Sequence, residues 1–159
     1  MNLKTAIHFL LVVSLAAFAA APANSGALSG TQTTRTGHSY KTLIERLDAA
    51  VKANEMGLVT RASATLGAKA VLKRDIPGNM VVGVFHPRFA LRMLEASIPA
   101  GIEAPLRFYI TENADGTATL SYRIPSATFA PYGSARLDEM AKELDTIFAK
   151  IAGDATGTK

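Results

Sequence analysis

Residues 106 to 124, LRFYITENADGTATLSYRI, restrict the possible folds more than any other stretch of the chain. Two alternating runs, 106–112 and 117–124, flank the turn signal Asp115-Gly116. A three-residue loop, Ala114-Asp115-Gly116, fits a hairpin with Gly116 in the left-handed position of a bulge. That loop fixes the register. Asn113 faces Thr117, Ile110 faces Leu120 and Phe108 faces Tyr122, which places one apolar set on one side. The other side carries Thr111 with Thr119, Tyr109 with Ser121 and Arg107 with Arg123. A sheet with one apolar and one polar face needs cover on one side only.

The rest of the sequence supplies that cover. Leu43, Ile44, Leu47, Ala50 and Val51 form a helical stripe over 40–55, with Ser39 as cap and Gly57 as stop. Leu137, Met140, Ala141, Leu144, Ile147, Phe148 and Ile151 do the same over 135–152, between Ser134 and Gly153. A shorter helix is predicted over 87–96. His86 caps it, Pro87 opens it, Phe89, Ala90, Met93 and Leu94 are buried, and Arg88, Arg92 and Glu95 are exposed, with an Arg92–Glu95 pair. Pro99, Gly101 and Pro105 shape the return to the sheet. Residues 58–65 read as a strand and 79–85 as a central strand in which Gly83 marks a weak point or a close backbone approach. Residues 66–74 read as a short helix or irregular connection, and 31–36 as an edge strand. The expected class is α+β: an antiparallel sheet of about four to five strands, with two main helices and one short helix packed on one side as a two-layer sandwich.

Residues 1–23 have one early lysine, an apolar run from Ile7 to Ala21 and small residues after it, the pattern of a secretory signal peptide. Cleavage is expected after Ala19 or Ala23, giving an exported chain, periplasmic or secreted, with no membrane span after cleavage. The expected layout continues with a flexible spacer at 24–37 that includes the edge strand, a single domain at 38–152 and a disordered tail at 153–159. The 159 residues contain no cysteine, so neither a disulfide framework nor a thiolate site is available. Without Lys4 the balance is 16 basic against 13 acidic residues, about +3, too mild an excess to argue for a nucleic-acid partner.

Several spaced motifs agree in order with a known family. They are IERLDAAVKANEMGLVTRA at 44–62, His86-Pro87-Arg88, PAGIEAPLRF at 99–108, Asp115-Gly116 and SYRIP at 121–125. Over about residues 39–133 the chain resembles the bacterial and archaeal family called domain of unknown function 302. Two departures stand out. The family's usual cap asparagine is His86 here, and its frequent Ile-Asp-His is replaced by ASATLG at 62–67. The resemblance implies helices on one side of an antiparallel sheet and brings no established reaction.

The function expected from the residues is a non-catalytic module. It would bind a small anionic or amphipathic ligand, or a protein partner, through the open sheet face, with Arg107, Arg123, Tyr109, Arg88 and Arg92 as binding residues. Like charges opposite one another on a strand pair are unfavourable by about 0.5 kcal/mol, which makes Arg107 and Arg123 the sharpest oddity. A bare sheet face also suits a homodimer. An alternative is an enzyme with His86 as acid/base and Glu103 beside it, its site lying between the helix start and the 99–107 rim. A second alternative is a metal-responsive exported protein, although two histidines remain after residue 23, with no HExxH or HxH spacing, and no metal or other cofactor is expected.

Overall fold

The computed structural model describes residues 28–157. The expected signal peptide and the start of the spacer lie outside the described residues, as do the last two residues of the tail.

The central hairpin forms as its alternation requires. Strand β4 (Leu106–Glu112) and strand β5 (Thr117–Arg123) pair antiparallel, with Ile110 opposite Leu120, Phe108 opposite Tyr122, Thr111 opposite Thr119 and Tyr109 opposite Ser121. Gly116 takes φ +79°, and Asn113 N donates to Thr117 O at 2.8 Å. Strand β3 (Asn79–Phe85) adds beside β4, and β2 (Gly57–Ala62) adds beside β3. Strand β1 (Thr31–Ser39) covers the free side of β5, so the antiparallel order is β1-β5-β4-β3-β2. The edge strand expected at 31–36 is therefore present and longer, running to Ser39, which also caps the first helix.

The apolar side chains at alternate positions of β3, β4 and β5 point to one side of the sheet, while Val81 and Tyr109 fall on the other. Val82, Val84, Phe108, Ile110 and Leu120 join one core with Leu43, Leu47 and Val51 of helix α1 (Tyr40–Ala53). Phe89 and Met93 of helix α3 (Pro87–Ala96) and the inner stripe of helix α5 (Ala135–Thr156) complete it. Phe108 and Phe148 stack at 4.8 Å, with Tyr122 tilted against both. Burying a side chain of this size is worth about 1.5–3 kcal/mol, so the aromatic trio is a main tie between sheet and helices. The fold is α+β, a five-stranded antiparallel open sheet with helices, as the alternation requires.

Four local expectations are corrected. Helix α5 does not stop at Gly153. It continues to Thr156, with Ala155 and Thr156 buried and Gly157 at φ +79° ending it. Residues 153–156 are thus part of the fold rather than of a tail, because Arg46 of α1 donates to the carbonyls of Asp154 and Ala155 at 2.8 and 2.6 Å. Strand β2 ends at Ala62, and Ser63 caps a short helix, α2 (Ala64–Gly67), which runs into a π-helical turn at Ala68–Leu72. Leu94 is 46% exposed rather than buried, since the chain after α3 turns away as a 3-10 helix at Ile98–Glu103. Finally, a helix not foreseen, α4 (Pro125–Phe129), follows β5 and buries Phe129. Its first turn is capped from outside, by Asp145 of α5 accepting from Ser126 N at 2.8 Å.

Candidate functional site

Strand alternation puts Arg107 and Arg123 on the side of the sheet away from the core. Their neighbours Leu106, Phe108 and Tyr122 point inward, while both arginines are exposed. The β4–β5 ladder ends at Phe108–Tyr122, one pair short of the arginines. Each arginine instead finds its ladder partner on the other side, Gly83 for Arg107 and Thr31 for Arg123. Opening the pair at the strand ends relieves the direct repulsion expected for opposed like charges. The two side chains still line one cleft of about 210 Å³, together with Glu103, Leu106, Ala127, Thr128 and Pro131. Among the described residues neither guanidinium has an ion-pair or side-chain hydrogen-bond partner.

Three features build the cleft. Pro105 leads the chain into β4 and lies over Gly83, where a Cβ would approach Pro105 Cγ to 2.9 Å and Thr60 Oγ1 to 2.1 Å. The close approach at Gly83 is made by side chains, the Pro105 ring and the Thr60 hydroxyl, rather than by the backbone that was expected, and it seats the rim on the sheet. Helix α4 and the turn after it (Ala130–Tyr132) form the opposite wall. Gly30 and Ala127 meet where β1 passes this wall, since a Cβ on Gly30 would lie 2.7 Å from that of Ala127. Glu103 is held by Tyr132, whose hydroxyl donates to Oε1 at 3.0 Å. Burial and then that carboxylate raise the Tyr132 hydroxyl above its ordinary pKa, so it stays protonated as donor. The result is a small recess with two unpaired cations, one carboxylate and apolar walls.

Tyr109 stands on the open face, 42% exposed, between Val81 and Ser121. Thr33, Ser121, Thr119 and Thr111 surround that row, and Thr33 and Ser121 share a 3.0 Å hydroxyl contact. The row is mostly polar, with Val81 beside Tyr109.

Arg88 and Arg92 do not extend this surface. They belong to the helical layer, with their guanidinium carbons 4.7 and 5.7 Å from the Phe89 ring centre. Arg92 makes a two-armed pair with Glu143 of α5, both contacts at 2.7 Å, and not the pair with Glu95. Glu95 meets Arg136 at 3.7 Å instead. The local spacing in α3 permitted an intrahelical pair, but the packing of α3 on α5 offered Arg92 better geometry.

His86 is the cap of α3. Its Nδ1 accepts from Arg88 N at 3.1 Å, and its ring meets Phe89 edge-on at 6.2 Å. It borders a cleft of about 330 Å³ shared with Ala53, Asn54, Glu55, Met56, Arg88, Ile147 and Lys150, and an apolar recess of about 30 Å³. Neither is lined by Arg107, Arg123 or Glu103. The apolar recess does join His86 to Ala104 and Leu106 of the 99–107 rim, without Glu103 or the two arginines. Among the described residues no group of three His, Cys, Asp or Glu could hold a metal ion.

Sequence reasoning missed Ala127, Thr128 and Pro131. Pro125 after Ile124 fits the first turn of a helix and is the one local signal for that wall.

Comparison with known proteins places this geometry in context. The sequence model of the family described as Domain of unknown function DUF302 matches residues 32–153. The chain is also similar to a crystal structure of an uncharacterized conserved DUF302 protein from Bacillus stearothermophilus. That likeness has a TM-score of 0.73 at 18% identity and covers 80% of this chain and 99% of that one. No curated protein matches the chain.

Proposed function

The chain belongs to the DUF302 family, whose name carries no activity, and from its own site we propose that it is an exported, non-catalytic binding module for a small anionic, part-apolar ligand. The carrying observation is the pair Arg107 and Arg123, two exposed cations that border one recess and make no ion pair among the described residues, although Glu103 lines the same recess. Leu106, Ala127 and Pro131 offer apolar contact beside them. A charge-assisted contact from a guanidinium to a carboxylate or phosphate is stronger than a neutral hydrogen bond, and its planar fork orients the ligand. Glu103, held by Tyr132, sets a limit on the ligand. A second negative charge near that carboxylate is repelled, which favours a singly charged head group.

Native mass spectrometry of gently purified protein tests the reading. A retained small anion that is lost in Arg107→Ala and Arg123→Ala supports it. A clean dimer with empty protomers overturns it and assigns the open face to self-association.

A further inference from the structure

The connection between β2 and β3 has a rigid base and an apolar tip. At the base, Ser63 Oγ donates to Asn79 O at 2.7 Å and Ala64 N donates to Asn79 Oδ1 at 3.0 Å. Thr65 Oγ1 donates to Pro77 O at 2.9 Å and accepts from Asn79 N at 2.9 Å. Beyond this clamp, no residue of the α2 turn or the π-helical turn is buried. Leu66, Val71 and Leu72 are 66%, 77% and 66% exposed. Large apolar side chains held this far out on a fixed base are the exposed patch that calls for a partner.

The charges beside them indicate which partner. Residues 64–75 contain Lys69, Lys73 and Arg74 against Asp75 alone, three positive charges to one negative. Lys69 pairs with Asp75 at 3.3 Å, but both side chains are largely exposed and such pairs are weak. Lys73 takes φ +54° and its Nζ donates to Ala70 O at 2.8 Å, so a cation closes the turn directly after Leu72. Protein interfaces are depleted in lysine. Exposed apolar side chains interspersed with lysine and arginine in one short segment are instead the pattern of segments that lie in the interface of an anionic bilayer.

We propose that residues 66–74 form a membrane-surface anchor, with Leu66, Val71 and Leu72 inserted among acyl chains and Lys69, Lys73 and Arg74 on anionic head groups. The anchor stands at the Asn79 end of β3, and the arginine cleft stands at the other end, beside Gly83. At about 3.3 Å per residue the four steps from Asn79 to Gly83 separate them by roughly 13 Å. The docked protein therefore presents its cleft away from the lipid. This inference is independent of what the cleft binds.

The absence of cysteine permits a clean test. An environment-sensitive fluorophore is attached to Ala70→Cys in the full chain, and as a control to Lys142→Cys on α5. The Lys142 label reports any approach to lipid that does not involve residues 66–74. With phosphatidylglycerol-containing vesicles, the Ala70 label is expected to brighten about twofold or more while the Lys142 label stays unchanged. Phosphatidylcholine vesicles leave both unchanged. Replacing Leu66, Val71 and Leu72 with serine abolishes the response, and replacing Lys69, Lys73 and Arg74 with glutamine weakens vesicle binding at least about tenfold. A silent Ala70 label overturns the proposal, as do equal responses from the two labels or a response that survives both sets of substitutions. Brightening without vesicles that rises with protein concentration also overturns it and assigns the tip to a second copy.

Discussion

Replacing Gly83 with alanine tests how the rim is seated on the sheet. Gly83 is buried in an interior strand at a negative-φ position, so the backbone itself accepts alanine. In an unobstructed strand Gly→Ala would stabilise by about 0.5–1 kcal/mol through lost chain entropy. Here the added carbon would sit 2.1 Å from Thr60 Oγ1 and 2.9 Å from Pro105 Cγ. The threonine hydroxyl can rotate away, but the proline ring has no such freedom and the rim must lift. Overpacking of this kind costs about 1–3 kcal/mol. Offsetting the entropy gain leaves a net loss of about 0–2.5 kcal/mol, centred near 1 kcal/mol or roughly 3–6 °C in Tm for a domain of this size. Urea and thermal unfolding followed by circular dichroism measure it. Adding Thr60→Ala should recover part of the loss and leave the Pro105 share. A Gly83→Ala protein more stable than its parent by the about 0.5–1 kcal/mol of an unobstructed strand would refute the contact between rim and sheet.

Three further outcomes follow from the polar contacts. Asp115 is held at a pKa of about 2 by hydrogen bonds from the Thr117 hydroxyl and amide, and then by Arg35. Its folded value lies below the unfolded one, so its contribution is complete above the ordinary carboxylate range and is lost as pH falls toward 2; Thr117→Val should move its NMR titration upward. Glu143 is lowered chiefly by the hydrogen bond from Arg92, so Arg92→Ala should return its titration toward the usual value, and an unchanged titration would remove the tie between α3 and α5. Arg46→Ala should speed amide exchange in the last turn of α5 and cost about 1 kcal/mol, since two capped carbonyls lose their donor.

What could be read from the chain and what could not divide along a physical line. The hairpin register was legible because strand alternation and the Asp-Gly turn are local, and that register alone put Arg107 and Arg123 on the bare side. The stripes of α1 and α5 were legible for the same reason. The end of α5 was not. Gly153 is a local stop signal, and it is overridden by Arg46, which lies 108 residues away from Asp154 in sequence. Helix α4 has five residues, too few for periodicity, and its cap comes from Asp145 on another helix. The partner of Arg92 was misread because sequence spacing shows Glu95 and conceals Glu143. Of the cleft, the two arginines and Glu103 were visible, while the wall of Ala127, Thr128 and Pro131 exists only through tertiary packing. His86 was correctly read as a cap, and its separation from the arginines could be seen only in three dimensions.

The central claim is that two guanidinium groups bordering one recess of the sheet hold the head group of a small anion. Titrating hexanoate into isotope-labelled protein, with Arg107→Ala, Arg123→Ala and the double variant alongside, tests it most directly. Amide shifts clustered at residues 103–107 and 123–131 are expected, with each single variant weakening binding about tenfold, the size of a lost charged hydrogen bond. Shifts elsewhere, or equal affinity in the parent and the double variant, would contradict it.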